Sequence, residues 1–323
     1  MDPMKLSWRP PRVLSALCVP FFACSCLLLP AQTLPNIRQT KTLTCAIDQG
    51  TLDYTTLDLH GPRIAFDLEL CHAVAVAIAG PSAKVHPLLL EDEVSTLAAL
   101  KQHKADLVPT ASLDFSNATI PGIYLGPPIL QDGTGFLVQA DITTPESLSG
   151  KKLCFFAETE TETILRTWFA RNHLDFVPYP FSEEGEMQAA FMSGNCPAIA
   201  ADLTRLGSLR DGAGSVGAHA RILPVVIAPD PLGPAAADPA LLRIASWVYE
   251  LLLNADALGV TRATLPALLN STDAALQRLF NRTHELGKPL GLDEAWPLRV
   301  LTAIGSYADL SIQIPPPSPL PLR

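Results

Sequence analysis

The feature that most constrains the fold is an alternation of two hydrophobic patterns, which runs along the chain once and then restarts. The strand-like run LTCAI (43–47) precedes AFDLELCHAVAVAIAG (65–80). There Phe66, Leu68, Leu70, Val74, Val76 and Ile78 sit among small helix formers, and Gly80-Pro81 stops the helix. KVHPLLL (84–90) reads as a strand, EVSTLAALKQHK (93–104) as a helix starting near Asp92, and ADLVPT (105–110) as a strand. Residues 111–128 read as a loop rich in Pro and Gly, and TGFLVQA (134–140) as a strand. The rhythm then begins again: KKLCFF, a helix at about 159–172, FVPYPF, a helix at 183–194, PAIAADL with a helix after it, and ARILPVV (220–226) running into APDPLGPAA. The last third is mainly helical, at 239–258, 261–269, 273–281 and 293–306. Strands that alternate with helices belong to α/β folds.

Two such units in succession, with segments crossing between them near 135–140 and 224–232, predict two lobes, a hinge and a cleft. Clefts of this kind, at strand ends between domains, are where ligands bind. The expected division is lobe 1 from 32–138 and 229–310, discontinuous in sequence, and lobe 2 from 139–228. An N-terminal arm at 32–41 and a proline-rich tail at 311–323 complete it.

The ends and the cysteines bear on the compartment. Lys5, Arg9 and Arg12 precede the apolar run VLSALCVPFFACSCLLL (13–29), and Pro30-Ala31 closes it. This is the pattern of a secretory signal peptide over 1–31. The rivals are a retained anchor and a lipid attached at Cys24. Three of the seven cysteines fall in this segment, leaving Cys45, Cys71, Cys154 and Cys196. An even number in an exported chain suggests disulfides, and four cysteines allow three pairings. Pairing 45–71 and 154–196 would put one staple in each half; buried free thiols are the other reading. The formal charge is −9 with no basic patch, which argues against a nucleic-acid partner. No histidine spacing, Gly-rich loop or nucleophile motif implies a metal or cofactor.

The stretches AFDLELCHAVAVAIAG, LAALKQHKADL, QDGTGFLV, SLSGKKLCFFAETETETILRTWF, PDPLGPA, WVYELLLNADALGVT and LGLDEAWPLRVLTAIGSYADL together resemble the periplasmic solute-binding proteins of polar amino-acid ABC transporters, family 3. They resemble most the branch that binds L-amino acids generally, and the four cysteines fall where that branch carries its own. The resemblance implies a two-lobed periplasmic-binding-protein-like fold (type II) that closes on a small polar solute, an amino acid or a related compound, and presents it to an inner-membrane ABC permease. It implies a monomer in the periplasm with no catalytic activity and no cofactor. Carried over residue by residue, it implies ligand contacts from Asp202, Thr159 (with Thr161 beside it), Ser112, Asp48 and Tyr54, with Asp230 at the hinge.

One departure stands out. The family binds the ligand's α-carboxylate with an arginine a few residues after the Ser112 position; here that place is Ala118, and no Arg or Lys occurs from 105 to 150. Glu158, Glu160 and Glu162 also crowd the second-lobe loop. A cationic or non-amino-acid ligand is one expectation that follows. Two alternatives accompany it. The chain is a descendant that senses or binds a partner without a ligand, or a periplasmic dehydratase-like enzyme with Glu158 as general acid.

Overall fold

A computed structural model describes residues 33–48, 62–157, 159–282 and 287–310. Tyr54, Glu158, the signal-like segment and the proline-rich tail lie outside the described residues.

The first α/β unit is built around one almost wholly apolar helix. Strand β1 (Thr42–Asp48) pairs in parallel with β2 (Lys84–Leu90), from Thr42 opposite Lys84 to Asp48 opposite Leu90. A parallel pair needs a crossover, and α2 (Pro62–Ala79) supplies it. Phe66, Leu70, Cys71 and every residue from Ala73 to Ala77 are fully buried, while Leu68, Glu69 and His72 are half-buried. The Cys45–Cys71 disulfide ties β1 to α2. The segment expected as an arm is instead a helix, α1 (Thr33–Thr40). Its Ile37 is fully buried, and Arg38 Nη2 donates to the Gly291 carbonyl at 2.6 Å. An eight-residue polar stretch lacks periodicity of its own; the tertiary contact fixes it.

Helix α3 (Glu93–Lys101) starts where Asp92 caps it, Oδ1 accepting from the Ser95 N–H at 2.7 Å. It leads to β3 (Val108–Ser112). Within the expected loop lie a short helix, α4 (Phe115–Ala118), and a short strand, β4 (Tyr124–Leu125). Strand β5 (Leu130–Val138) begins four residues earlier than the sequence pattern places it.

The second unit contains β6 (Lys152–Phe156), α5 (Thr161–Arg171), β7 (Val177–Phe181), α6 (Glu184–Met192), β8 (Ala198–Asp202), α7 (Leu203–Gly212), α8 (Gly214–His219) and β9 (Arg221–Ile222). Strand β6 lies parallel to both β7 and β8, and the Cys154–Cys196 disulfide closes this half. Phe136, Phe155 and Phe169 fill one side of its sheet; Leu137, Phe191 and Leu206 fill the other.

The expected strand at 220–226 is only β9. The strand that matters is β10 (Ala228–Ala236), which carries Pro229, Pro231 and Pro234. Proline cannot donate to a ladder. In β10 the carbonyls still accept: Pro231 O takes the Leu113 N–H at 2.8 Å and Pro234 O takes the Gly126 N–H at 2.7 Å. Among the described residues the long sheet runs β3-β10-β5-β8-β6-β7, so β10 and β5 carry it from one lobe to the other. Helix α9 (Pro239–Ala257), capped by Asp238, and the shorter α10 (Leu265–Leu268), α11 (Ala274–Leu279) and α12 (Trp296–Ala303) cover the first lobe.

Candidate functional site

The register of β5 decides the site. Its first half pairs antiparallel with β10, Leu130 opposite Leu232 through Thr134 opposite Ala228. Its second half pairs antiparallel with β8, Thr134 opposite Asp202 through Val138 opposite Ala198. Thr134 is therefore the point where the sheet passes between lobes. Residues directly opposite on antiparallel strands project to the same face, as do residues two apart. That rule puts Asp132, Asp230, Thr134 and Asp202 on one face, with Asp132 opposite Asp230.

Two carboxylates directly opposed repel each other, and each has its own answer. Asp230 Oδ2 accepts the Ser112 hydroxyl at 3.0 Å. Asp132, 3% exposed, turns to the start of α7: Oδ2 accepts the Thr204 hydroxyl at 2.6 Å, and Oδ1 accepts the Thr204 N–H at 3.3 Å and the Gly133 N–H at 2.8 Å. Asp132 thus caps α7 from the hinge strand. Asp202 stands at the N-cap position of that helix, but its side chain makes no capping bond. It has no hydrogen-bond or ion-pair partner among the described residues, and it faces the cleft.

Behind this face lies a buried charge cluster. Arg63, near the start of α2, donates from Nη2 to Thr110 Oγ1 at 2.7 Å and to the Thr110 carbonyl at 3.3 Å. Its guanidinium lies 3.4 Å from Asp67 and 3.6 Å from Asp132. Burial works against the Arg63 charge, but Asp67, Asp132 and Asp48 outweigh it and raise its pKa. Asp67 itself is pushed up to about 6, burial being the main cause and Arg63 opposing it.

Between the lobes is a cavity of about 560 Å³. The first lobe and hinge contribute Glu93, Ser112, Asp114 and Asp230; the second contributes Thr159, Glu160, Asp202 and Arg205. Glu93 also accepts the Ser112 N–H, which fixes the strand end. Enclosure by the cleft walls pushes the Asp202 carboxyl up to about 6, and Asp132 and Asp230 add repulsion. Asp230 is likewise pushed to about 6 by burial, against the Ser112 hydrogen bond and with Glu93 and Asp132 adding to it. Among the described residues, no group of three or more His, Cys, Asp or Glu is placed to hold a metal ion.

Of the residues singled out from sequence, Asp202, Thr159 and Ser112 come together on this cavity. Thr159 spends its hydroxyl on the Phe156 carbonyl, at 2.8 Å. Asp48 ends β1 and belongs electrostatically to the Arg63–Asp67 cluster rather than to the cavity lining. Tyr54 lies outside the described residues. Sequence reasoning missed Arg63, Asp132 and Arg205. Arg63 reads as a polar residue at the start of a helix, and Arg205 as an exposed position after an N-cap; only tertiary packing brings Arg63 to Asp132 of β5 and Arg205, on α7, to the cavity.

A hinge of two antiparallel strands, lobes on either side and a polar cavity between them define a two-lobed solute-binding protein of type II. The relatives agree. The general L-amino acid-binding periplasmic protein AapJ of Rhizobium johnstonii is 29% identical over 287 residues, spanning 87% of this chain and 84% of the relative. The glutamate/glutamine/aspartate/asparagine-binding protein BztA of Rhodobacter capsulatus is 28% identical over 285 residues, with the same shares covered. A periplasmic binding protein of an ABC transporter from Brucella ovis, solved with glutathione bound, superimposes with a TM-score of 0.71 at 27% identity, over 90% of this chain and 93% of its own. No protein-family profile matches the chain. The chain is thus similar over most of its length to periplasmic solute-binding proteins of amino-acid ABC transporters.

Proposed function

We propose that this protein is the periplasmic binding component of an amino-acid-type ABC transporter, acting as a monomer, and that its ligand is a small polar solute carrying positive charge. Lobe 1, from 32–138 and 229–310, and lobe 2, from 139–228, close on it. Asp202 takes an ammonium or guanidinium of the ligand, and Thr159 and Ser112 shape the walls; Asp48 and Tyr54 are the further contacts that the family resemblance implies. One observation carries the cationic reading: carboxylates of both lobes, Glu93, Asp114 and Asp230 against Glu160 and Asp202, converge on a cavity whose lining holds a single cationic side chain among the described residues, Arg205. Desolvating these carboxylates is unfavourable unless opposite charge arrives with the ligand.

The relatives named for amino-acid ligands, and the one holding glutathione, support a ligand with an amino group. Thermal-shift measurements at pH 7.5 with L-arginine, L-lysine, agmatine, cadaverine, L-glutamate and succinate test the reading. Stabilisation by the cations and not by the two acids is expected, since binding raises the melting temperature by mass action. A larger shift with L-glutamate or succinate would overturn it.

A further inference from the structure

Arg205 is the cleft's one lining cation among the described residues, and its guanidinium is held but not used up. Its Nη2 donates to Glu184, at the start of α6, behind the cavity wall. The guanidinium also covers the Phe156 ring, 5.3 Å from its centroid. These two contacts fix the plane of the fork. Nε is shut off from solvent without an acceptor, and Nη1 makes no hydrogen bond to a described residue. The side chain keeps 28% of its surface exposed and lines the cavity beside Asp202. With Nε enclosed, the donors left for a ligand are Nη1 and the second hydrogen of Nη2, and a carboxylate is the acceptor that uses such a parallel pair.

The wall that lacks an arginine is the first lobe's, since Ala118 and its neighbours offer no cation. The charge pattern is therefore the reverse of a lobe-1 carboxylate clamp. We propose that Arg205, on the second lobe, binds the carboxylate of the ligand, so that the cleft selects a cation that also bears a carboxylate over the same cation without one. This rests on the cationic reading above. Glu184 and Phe156 act as positioning residues: they hold the fork, and neither is required to touch the ligand.

Matched pairs isolate the carboxylate. L-Arginine and agmatine differ by that group alone, as do L-lysine and cadaverine. Calorimetry on the full mature protein at pH 7.5 is expected to give the amino acid about tenfold tighter binding than its amine, the order of a charge-assisted hydrogen bond or two. In Arg205→Met the ratio should fall to near one. Agmatine should then bind as tightly as to the wild type, or more tightly, because a repelling cation has gone. Arg205→Lys, which keeps the charge and loses the fork, should give a ratio between these. Should Arg205→Met fail to fold, the wild-type ratio and the lysine variant still decide.

A wild-type ratio of one, or an unchanged ratio in the variants while all four compounds bind, overturns the role of Arg205 and leaves the cationic cleft standing. Equal loss for both members of a pair would show a structural role only, and also overturns it. Binding of none of the four removes the cationic reading, and this inference with it.

Discussion

Replacing Arg63 by methionine tests the buried electrostatics most directly. The guanidinium lies 3.4 Å from Asp67 and 3.6 Å from Asp132, both carboxylates 2% exposed, and donates twice to Thr110. Methionine fills much of the stem volume and removes the charge. Breaking a buried pair by deleting one partner costs about 3–5 kcal/mol, because the remaining charge is left without compensation. The pH dependence gives the claim its sign. Burial raises the Asp67 pKa from its ordinary 3.8 to about 6 in the folded state, which therefore holds the extra proton between those values. Its contribution to stability is greatest below about pH 4 and is lost as pH rises through about 6. Without Arg63 the folded pKa rises further, so the variant keeps its proton to higher pH. The gap between wild type and Arg63→Met should therefore be wide at pH 7.5 and narrow at pH 5. Urea unfolding followed by tryptophan fluorescence, with the disulfides kept oxidised, measures both. Adding Asp67→Asn to the variant should recover part of the loss at pH 7.5. A difference below about 1 kcal/mol at pH 7.5, or the same difference at both pH values, would refute the reasoning, since an exposed pair contributes no more than that.

Other outcomes follow from the cleft. Affinity for agmatine should fall as pH drops from 7.5 to 5, because Asp202 and Asp230 take up protons near pH 6; protonation of both would weaken it by up to about a hundredfold over that interval, and a flat calorimetric profile would count against their contact with the ligand. Asp202→Ala should lower affinity for ammonium-bearing ligands at least about tenfold while leaving the melting temperature equal or higher, since this carboxylate has no protein partner to lose; unchanged affinity would take Asp202 out of the site. Gly133→Ala should lower stability by about 1–3 kcal/mol, read by chemical unfolding, because φ is +137° and a Cβ would sit 2.3 Å from the Ala228 carbonyl oxygen; wild-type stability would mean that the crossing strands part more easily than their register implies.

Much of this architecture is legible in the amino acids themselves. The periodicity of 65–80, flanked by short apolar runs, specifies a buried crossover helix, and α2 over Pro62–Ala79 is that helix. The restart at KKLCFF announces a second unit, and the cysteines separate into one pair in each. Local patterns succeed there because each element's burial follows from its own sequence. They fail at β10, where prolines argue against a strand and the long-range partners β3 and β5 accept one anyway, since the missing donors leave the carbonyls free to pair. They fail at α1, too short to be stable alone and fixed by packing.

The candidate site divides along the same line. The sequence by itself determined the residue types: an acidic stretch, a second-lobe Asp202, a Ser112 at a strand end, and no cation between 105 and 150. Only the tertiary structure decided which charges meet. Asp132 and Asp230 face one another through strand register, Asp132 rather than Asp202 caps α7, and Arg63 and Arg205 arrive from helices 142 positions apart in sequence. Hydrophobic periodicity is a property of neighbouring residues, so it survives in the sequence. Charge complementarity acts through space between segments remote along the chain, and it exists only once the lobes are folded against the strands that join them.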